Sequence, residues 1–164
     1  MESPVIQDKH NMIREASYAD IDQIAGLVAE FFSCGNLEGT GLEIDNDSVL
    51  DLVTDVLDSK DSCLYVCEGN GIIAGVSAGF VRPWELNKNI IVLEEFWWFV
   101  REDHREKYPM AAFLLLKKLF NWGKSMGATV KIISSNKRAE SERVMASYQK
   151  MGMVMTDSNF IGRL

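Results

Sequence analysis

Residues 90–135 decide the fold, and they read IIVLEEFWWFV (90–100), REDHREKY (101–108), PMAAFLLLKKLFNWGKSMG (109–127) and ATVKIISS (128–135). Ile90–Val100 is typical of a long strand, because it is very rich in aromatic residues, and Arg101–Tyr108 is a charged loop. Pro109 stands where a first-turn proline would start a helix, which keeps helical spacing until Gly127 stops it. Thr129–Ser135 then predicts a buried strand. A strand, a helix and a strand in this order predict a parallel pair joined by a right-handed crossover.

A hairpin lies directly upstream of this unit. Ser62–Glu68 alternates between two faces of a strand, with apolar side chains on both. Gly69–Gly71 (GNG) is a strong hairpin-turn signal. The return strand is predicted over Ile72–Val81. Pro83 is expected to end it, and Trp84–Asn89 is expected to form a loop.

Two helices are predicted nearer to the N-terminus, after a short strand at Met12–Ala16. From Asp20 the apolar residues recur at helical spacing until Gly35 ends the first helix. The second helix carries one apolar stripe over Val49–Leu57. Two residues are candidates for its N-cap, namely Asp47 and Ser48.

The C-terminal part predicts one more helix, Glu140–Met151, which Gly152 closes, and one or two strands within Met153–Arg163. Residues 1–11 are polar and unpatterned, so we expect a flexible N-terminal tail followed by a single domain over residues 12–164. The predicted order of elements is therefore β-α-α-β-β-β-α-β-α-β, which requires a mixed sheet in an α/β (α+β) domain.

The amino-acid composition of the chain limits which partners, metal sites and cellular locations we expect. The 164-residue chain is 47% hydrophobic, so it can build a core, and its net charge of −7 argues against a nucleic-acid partner. Three cysteines without a framework spacing favour reduced thiols and a cytoplasmic location. Only two histidines are present, so we expect no metal site. No apolar run reaches transmembrane length, so we expect no membrane partner.

Three short strings in this order of elements resemble the GNAT N-acetyltransferase superfamily, over roughly Met12 to the C-terminus. Ile13–Ser17 followed by Asp20 is similar to the family's first strand and helix start. Val100 followed five residues later by Arg105 is similar to the end of its fourth strand and its cofactor loop. Tyr148–Met153 (YQKMGM) is similar to the string that closes its last helix. The aromatic strand also resembles GNAT-like proteins of bacteriophages.

The resemblance implies a GNAT fold, with a mixed central sheet of about six to seven strands flanked by about four helices. It implies acetyl-coenzyme A as the cosubstrate and acetyl transfer to a primary amine of a small-molecule or peptide acceptor that the sequence does not identify. The acidic surface suits a basic acceptor. Sheet edges near the C-terminus are compatible with a homodimer.

The implied cofactor segment departs from the family pattern. It comprises Phe99, Val100, Arg105, Glu106, Lys107, Tyr108, Met110 and Ala111. The family loop reads Arg/Gln-x-x-Gly-x-Gly/Ala, and neither glycine is present here unless Ala111 takes the second place. A helix start supplies convergent N–H donors for a pyrophosphate, and the charges of Arg105 and Lys107 could replace lost donors. The alternative is an ordinary helix start with a basic flank.

The resemblance implies that Tyr148 is the acid that protonates the leaving thiolate. A phenol of pKa about 10 is protonated at neutral pH and can donate to sulfur. The alternative is a core aromatic, because Tyr148 shares a helical stripe with apolar residues, and both roles are compatible.

Glu94 and Glu95 are adjacent on one strand and therefore point to opposite faces. Glu95 matches the acidic position of the phage-like string better, so the resemblance favours Glu95 as the group that takes the amine proton; a rim charge beside aromatic residues is the alternative. Trp97 and Phe99 are expected on the Glu95 face, where they could wall an acceptor pocket or pack in the core.

Two other classes of function remain open at this stage. One is a non-catalytic GNAT-fold module that binds coenzyme A or a protein partner, which the altered loop favours. The other is an unrelated α/β interaction domain.

Overall fold

The computed structural model describes residues 13–33, 40–133, 146 and 148–155. Its elements in chain order are β1 (Ile13–Glu15), a 3-10 turn (Tyr18–Asp20), α1 (Ile21–Ser33), α2 (Asn46–Asp58), β2 (Ser62–Gly69), β3 (Ile72–Trp84), β4 (Asn87–Val100), α3 (Glu102–Lys107), α4 (Ala111–Ser125) and β5 (Val130–Ile133). Residues 146 and 148–150 are also helical. The predicted tail, the end of the first helix at Gly35, most of the helix over Glu140–Met151 and the strands after residue 155 lie outside the described residues.

The sheet has the order β1-β2-β3-β4-β5. The first three pairings are antiparallel, and β4 and β5 are parallel, with α4 as the connection between them. The predicted strand–helix–strand unit and the mixed sheet are therefore confirmed. Within the described residues the sheet has five strands, fewer than the six to seven that were predicted.

The two faces of the sheet are both covered in its middle, which explains why β2 is apolar on both sides. Leu64 and Val66 pack in one core cluster with α1 and α2. Cys63 and Cys67 point to the opposite face, where they pack with α4 residues such as Leu115 and Leu119. The α1/α2 face and the α4 face of the sheet are named here by these helices.

The hairpin turn has the predicted geometry. Asn70 has a φ of 53° and Gly71 a φ of 77°. Two successive residues with positive φ form the turn whose twist matches that of the flanking strands, and Asn-Gly is its preferred sequence. The turn sets the pairing of Gly69 with Ile72, and the register then shifts once, between Cys67 and Glu68, before the strands pair regularly as far as Ser62.

The second hairpin and the α2 cap differ from the sequence prediction. Pro83 does not end β3, which continues to Trp84, and β4 already begins at Asn87. A register irregularity between Pro83 and Trp84 accommodates the proline, which has no N–H to give to the ladder. The N-cap of α2 is Asp45, whose carboxylate accepts from the Ser48 N–H at 2.9 Å.

The last described strand is less buried than predicted. Val130 is 45% exposed and Ile132 is 37% exposed. Both lie on the α1/α2 face, because they pair with Val92 and Glu94 of β4. Since α1 packs on β3 and α2 on β2, neither of these two helices covers this edge of the sheet.

A β-bulge interrupts β4 at Phe96. Ala78 of β3 pairs with Trp97, whereas the next residue, Gly79, pairs with Glu95. Phe96 is the extra residue in this register. Because a bulge adds one residue to one strand, it reverses the alternation of faces for every residue beyond it. Glu95 and Trp97 therefore point to opposite faces.

The close packing at the bulge explains why position 79 is a glycine, and it gives a prediction about stability. A Cβ on Gly79 would lie 2.7 Å from the Glu94 carbonyl oxygen and 3.1 Å from Leu119. Gly79→Ala should therefore lower the free energy of unfolding by about 1–3 kcal/mol in urea titration. Gly26→Ala on α1 is the matched control, because nothing lies within 4 Å of its Cβ position. It should raise stability by about 0.5–1 kcal/mol. Equal effects of the two changes would contradict the close packing at the bulge.

Candidate functional site

Glu95 and Tyr148 lie on the same face of the sheet. Glu95 is 4% exposed and pairs with Gly79, whose Cβ direction points at Leu119 of α4. Burial and, next, the charge of Glu95 raise the pKa of Tyr148 to about 12. The two candidate catalytic residues of the sequence analysis are thus brought together on the α4 face.

Trp98 fixes the surroundings of Tyr148, and the sequence analysis did not identify it. Its ring centroid lies 6.0 Å from that of Tyr148, and its indole N–H donates to the Ala112 carbonyl at 2.8 Å. Trp98 thereby joins the C-terminal end of β4 to the start of α4. The alternation of side chains along β4 places Trp98 on the α4 face only when the bulge at Phe96 is taken into account.

The expected position of Trp97 and Phe99 is wrong. Both pack on the α1/α2 face, Trp97 at 5% exposure in the core and Phe99 with its ring centroid 4.7 Å from that of Phe31. The bulge at Phe96 is the physical reason, because it moves both rings to the side opposite Glu95. Neither ring walls a pocket beside Glu95.

Glu94 is held in an ion pair on the α1/α2 face. Its carboxylate lies 2.7 Å from the Arg82 guanidinium, which also pairs with Glu85. The two adjacent glutamates point to opposite faces, as predicted. Glu94 thus forms an ion pair with Arg82 on the α1/α2 face, and Glu95 lies on the α4 face with Tyr148.

The segment predicted as an open cofactor loop is a short helix. Glu102–Lys107 forms α3, and Tyr108 is its C-cap. A residue before proline is disfavoured in helical conformation, so Pro109 ends α3. The prediction that Pro109 is the first residue of the long helix is therefore wrong, since α4 starts at Ala111 with Met110 as its N-cap.

Three backbone amides of this segment are already used within it. The N–H groups of Arg105, Tyr108 and Ala111 donate to the carbonyls of Arg101, His104 and Tyr108 at 2.8–3.0 Å. Within the described chain, no such bond is formed by the first amides of α4 at Ala112 and Phe113. A helix start leaves these N–H groups without intrahelical partners. They are the donors that remain for an anion.

Apart from Phe99, whose ring lies on the α1/α2 face, the side chains of the predicted cofactor segment divide into two groups. Five are exposed around the start of α4, namely Arg105, Glu106, Lys107, Tyr108 and Met110. Val100 and Ala111 are instead buried in a cluster with Cys67 and Leu115, so they can offer only backbone groups. Among the described ion pairs, neither Arg105 nor Lys107 takes part.

The far half of β4 has one unpaired side among the described residues. Pairing with β5 ends at Glu95, which faces Ile133. From Phe96 to Val100 the described part of the chain places no strand on the side away from β3. This β4 edge runs from the bulge, beside Glu95, toward α3 and the start of α4.

His104 is a second residue that the sequence analysis missed. It is 9% exposed, its Nε2 lies 3.4 Å from the Cys67 Sγ, and its ring centroid lies 4.7 Å from that of Tyr108. Burial lowers the pKa of His104 and raises the pKa of the Cys67 thiol to about 11. The contact between the imidazole and the thiol joins α3 to β2.

In the parts of the chain that the structure describes, no helix has both the length and the apolar content needed to cross a membrane. No protein-family model matches the sequence, and no curated protein matches it.

Comparison with solved structures gives matches over nearly the whole chain. A transcriptional regulator from Bacillus halodurans C-125 superposes with a TM-score of 0.71 at 14% identity, covering 93% of this chain and 98% of that chain. The structure of AAC(6')-Iy in complex with a bisubstrate analogue, CoA-S-monomethyl-acetylneamine, gives a TM-score of 0.69 at 16% identity, with 93% and 96% coverage. An aminoglycoside acetyltransferase from an uncultured soil metagenomic sample gives 0.66 at 20% identity, with 93% and 97% coverage. At these identities the similarity establishes the fold.

Proposed function

We propose that this chain, which has the fold of the GNAT acetyltransferases, transfers an acetyl group from acetyl-coenzyme A to a primary amine. The observation that carries the proposal is the convergence of Glu95 and Tyr148 on one face, at the point where the β4 edge becomes unpaired. The structures of similar fold include acetyltransferases in complex with coenzyme A or an analogue. Because the chain has this fold, we do not propose the alternative of an unrelated α/β interaction domain.

The β4 edge suits the pantetheine arm of the cosubstrate. Its two amides can pair with the backbone of Phe96–Val100 in the way that an added strand pairs with a sheet edge. The β4 edge runs toward the start of α4, so a cosubstrate bound along it would bring its pyrophosphate there. The amides of Ala112 and Phe113 can donate to the pyrophosphate. The side chains of Arg105 and Lys107 can pair with its charge. Charge thus compensates for the missing glycines.

The acetyl group would lie at the bulge. The amine nitrogen attacks the thioester carbonyl carbon, the carbon–sulfur bond breaks, and the products are the acetylated amine and coenzyme A. The extra residue of a bulge leaves its backbone groups outside the ladder, so the Phe96 N–H can donate to the oxygen that becomes negative. Glu95 takes the proton that the amine loses, directly or through water.

Tyr148 supplies the proton for the departing sulfur. Its raised pKa, due to burial and to Glu95, keeps the phenol protonated at neutral pH. After transfer, the proton held by Glu95 can return to Tyr148 through water, since both groups lie on the α4 face. The pair is then restored for the next cycle.

The test is coenzyme A release from acetyl-coenzyme A in the presence of primary amines. Glu95→Gln should lower kcat/KM by roughly two orders of magnitude or more, since it removes the proton acceptor without changing the side-chain size. Glu94→Gln is the matched control and should have a much smaller effect, because its carboxylate is paired with Arg82 on the other face. The opposite ranking would place the reacting groups on the α1/α2 face.

A second candidate function is a non-catalytic module that binds coenzyme A or a protein partner. Two observations favour it: three amides of the cofactor segment are used internally, and a transcriptional regulator shares the fold. Binding of acetyl-coenzyme A without release of coenzyme A for any amine would support this function instead. The assay above therefore separates the two candidates.

A further inference from the structure

We infer that the acceptor in the proposed reaction is a primary amine on a small apolar or aromatic body, held in a groove between α2 and the sheet. This inference rests on the proposed function and adds the substrate class. The groove, called here the acceptor groove, is lined by Leu52, Asp55, Val56, Ser62, Phe80 and Phe96.

The acceptor groove has the size of one ring or a short alkyl chain. Its volume is about 230 Å³, and the Phe80 and Phe96 rings in its wall are 5.9 Å apart. Both rings are half-buried, and Leu52 is 46% exposed at its rim. The groove is open to solvent, so a phenyl group can lie against the Phe80 and Phe96 rings while its linker stays outside.

The charge at the rim suits an ammonium group. Asp55 is exposed and is the charged residue of the lining. The rest of α2 adds Asp47, Asp51 and Asp58 and has no basic residue. The nearby Glu94 is already paired with Arg82, so the sheet side adds little attraction. The acidic helix therefore draws a cationic amine toward the groove, where its apolar body leaves water.

The acceptor groove meets the proposed reaction centre at Phe96. This residue lines the groove with its ring, and it is the bulge residue next to Glu95. It is also where the unpaired part of the β4 edge begins among the described residues. An amine on a linker of a few bonds can pass this edge from the α1/α2 face and reach the thioester.

A polyhydroxylated aminosugar fits the acceptor groove poorly. Among the described residues of the lining, the only polar side chains are those of Asp55 and Ser62, and the other walls are aromatic and aliphatic. Several sugar hydroxyls would lose water there without gaining partners, and each such loss is unfavourable. The groove therefore favours arylalkyl and alkyl amines over aminosugars.

The test compares phenethylamine with neamine as acceptors in steady-state acetylation. Phenethylamine should have the higher kcat/KM. Leu52→Lys should raise the KM for phenethylamine by about tenfold, because it places a cation at the rim, and should leave the KM for acetyl-coenzyme A unchanged. Leu86→Lys is the matched control, because Leu86 is 82% exposed on the β3–β4 turn, outside the groove. It should leave both KM values unchanged.

Phe80→Leu gives a second readout that does not depend on charge. It removes the ring but keeps an apolar side chain, and it should lower kcat/KM for phenethylamine by about tenfold or more. Acetylation of neamine but not phenethylamine would overturn this inference alone. An unchanged KM in Leu52→Lys would also overturn it. Failure to acetylate any amine would overturn the proposed function itself.

Discussion

Tyr148→Phe should lower kcat by roughly two orders of magnitude or more while the affinity for acetyl-coenzyme A changes little. The change removes one oxygen atom, and the ring keeps its packing beside Trp98. A leaving thiolate without a proton donor raises the barrier of the step in which the carbon–sulfur bond breaks. Stopped-flow or steady-state coenzyme A release, together with a binding titration, measures the two quantities separately.

The pH profile gives an independent view of the same residue. Because the pKa of Tyr148 is raised to about 12, the phenol stays protonated well above the pH at which a free tyrosine ionises. Activity of the wild type should therefore show no loss from ionisation of this acid up to about pH 10. An alkaline loss at lower pH that disappears in Tyr148→Phe would contradict the assignment. Unchanged turnover in Tyr148→Phe would return the residue to a packing role.

Replacing Arg105 and Lys107 together by Ala should weaken binding of acetyl-coenzyme A by about 2–4 kcal/mol, since charged hydrogen bonds contribute about 1.5–3 kcal/mol each with incomplete additivity. That is roughly a 30-fold to 900-fold rise in Kd. Both side chains are exposed beside the start of α4. With Arg105, Tyr108 and Ala111 amides already used, the segment has few backbone donors left for phosphate. Calorimetric titration measures the loss.

Two controls show whether phosphate is the group that is recognised. Lys117→Ala with Lys118→Ala removes the same charge from exposed positions farther along α4, and it should leave the Kd nearly unchanged. Acetyl-pantetheine lacks the pyrophosphate, so its weaker binding should hardly respond to the double change at Arg105 and Lys107. Equal loss for both ligands would mean that the segment supports the fold. No loss for either would place the phosphates elsewhere.

The sequence predicts the fold well wherever one local signal dominates. The aromatic strand, the helix that Gly127 ends and the Asn70-Gly71 turn all lie where their patterns place them. Pro109 was misleading, because a proline can end one helix as readily as it can start the next, and α3 is too short to show a clear period.

The candidate site was harder to predict, because it depends on one inserted residue. Glu95 and Tyr148 were proposed as site residues from their residue types and a family resemblance, and the structure places both on the α4 face. The faces of Trp97 and Trp98 could not be found, since alternation fails beyond the bulge at Phe96 and nothing in the local sequence requires the bulge there. The contact between His104 and Cys67 joins residues 37 positions apart, which no spacing rule predicts.

Transfer of an isotope-labelled acetyl group from acetyl-coenzyme A to a primary amine, followed by mass spectrometry of the amine under single-turnover conditions, tests the central claim most directly. We expect a labelled amide in an amount that matches the coenzyme A released, and both amounts should be greatly reduced in Tyr148→Phe and Glu95→Gln. Saturating binding of acetyl-coenzyme A with no labelled amide from any amine would contradict catalysis and leave a binding module in its place.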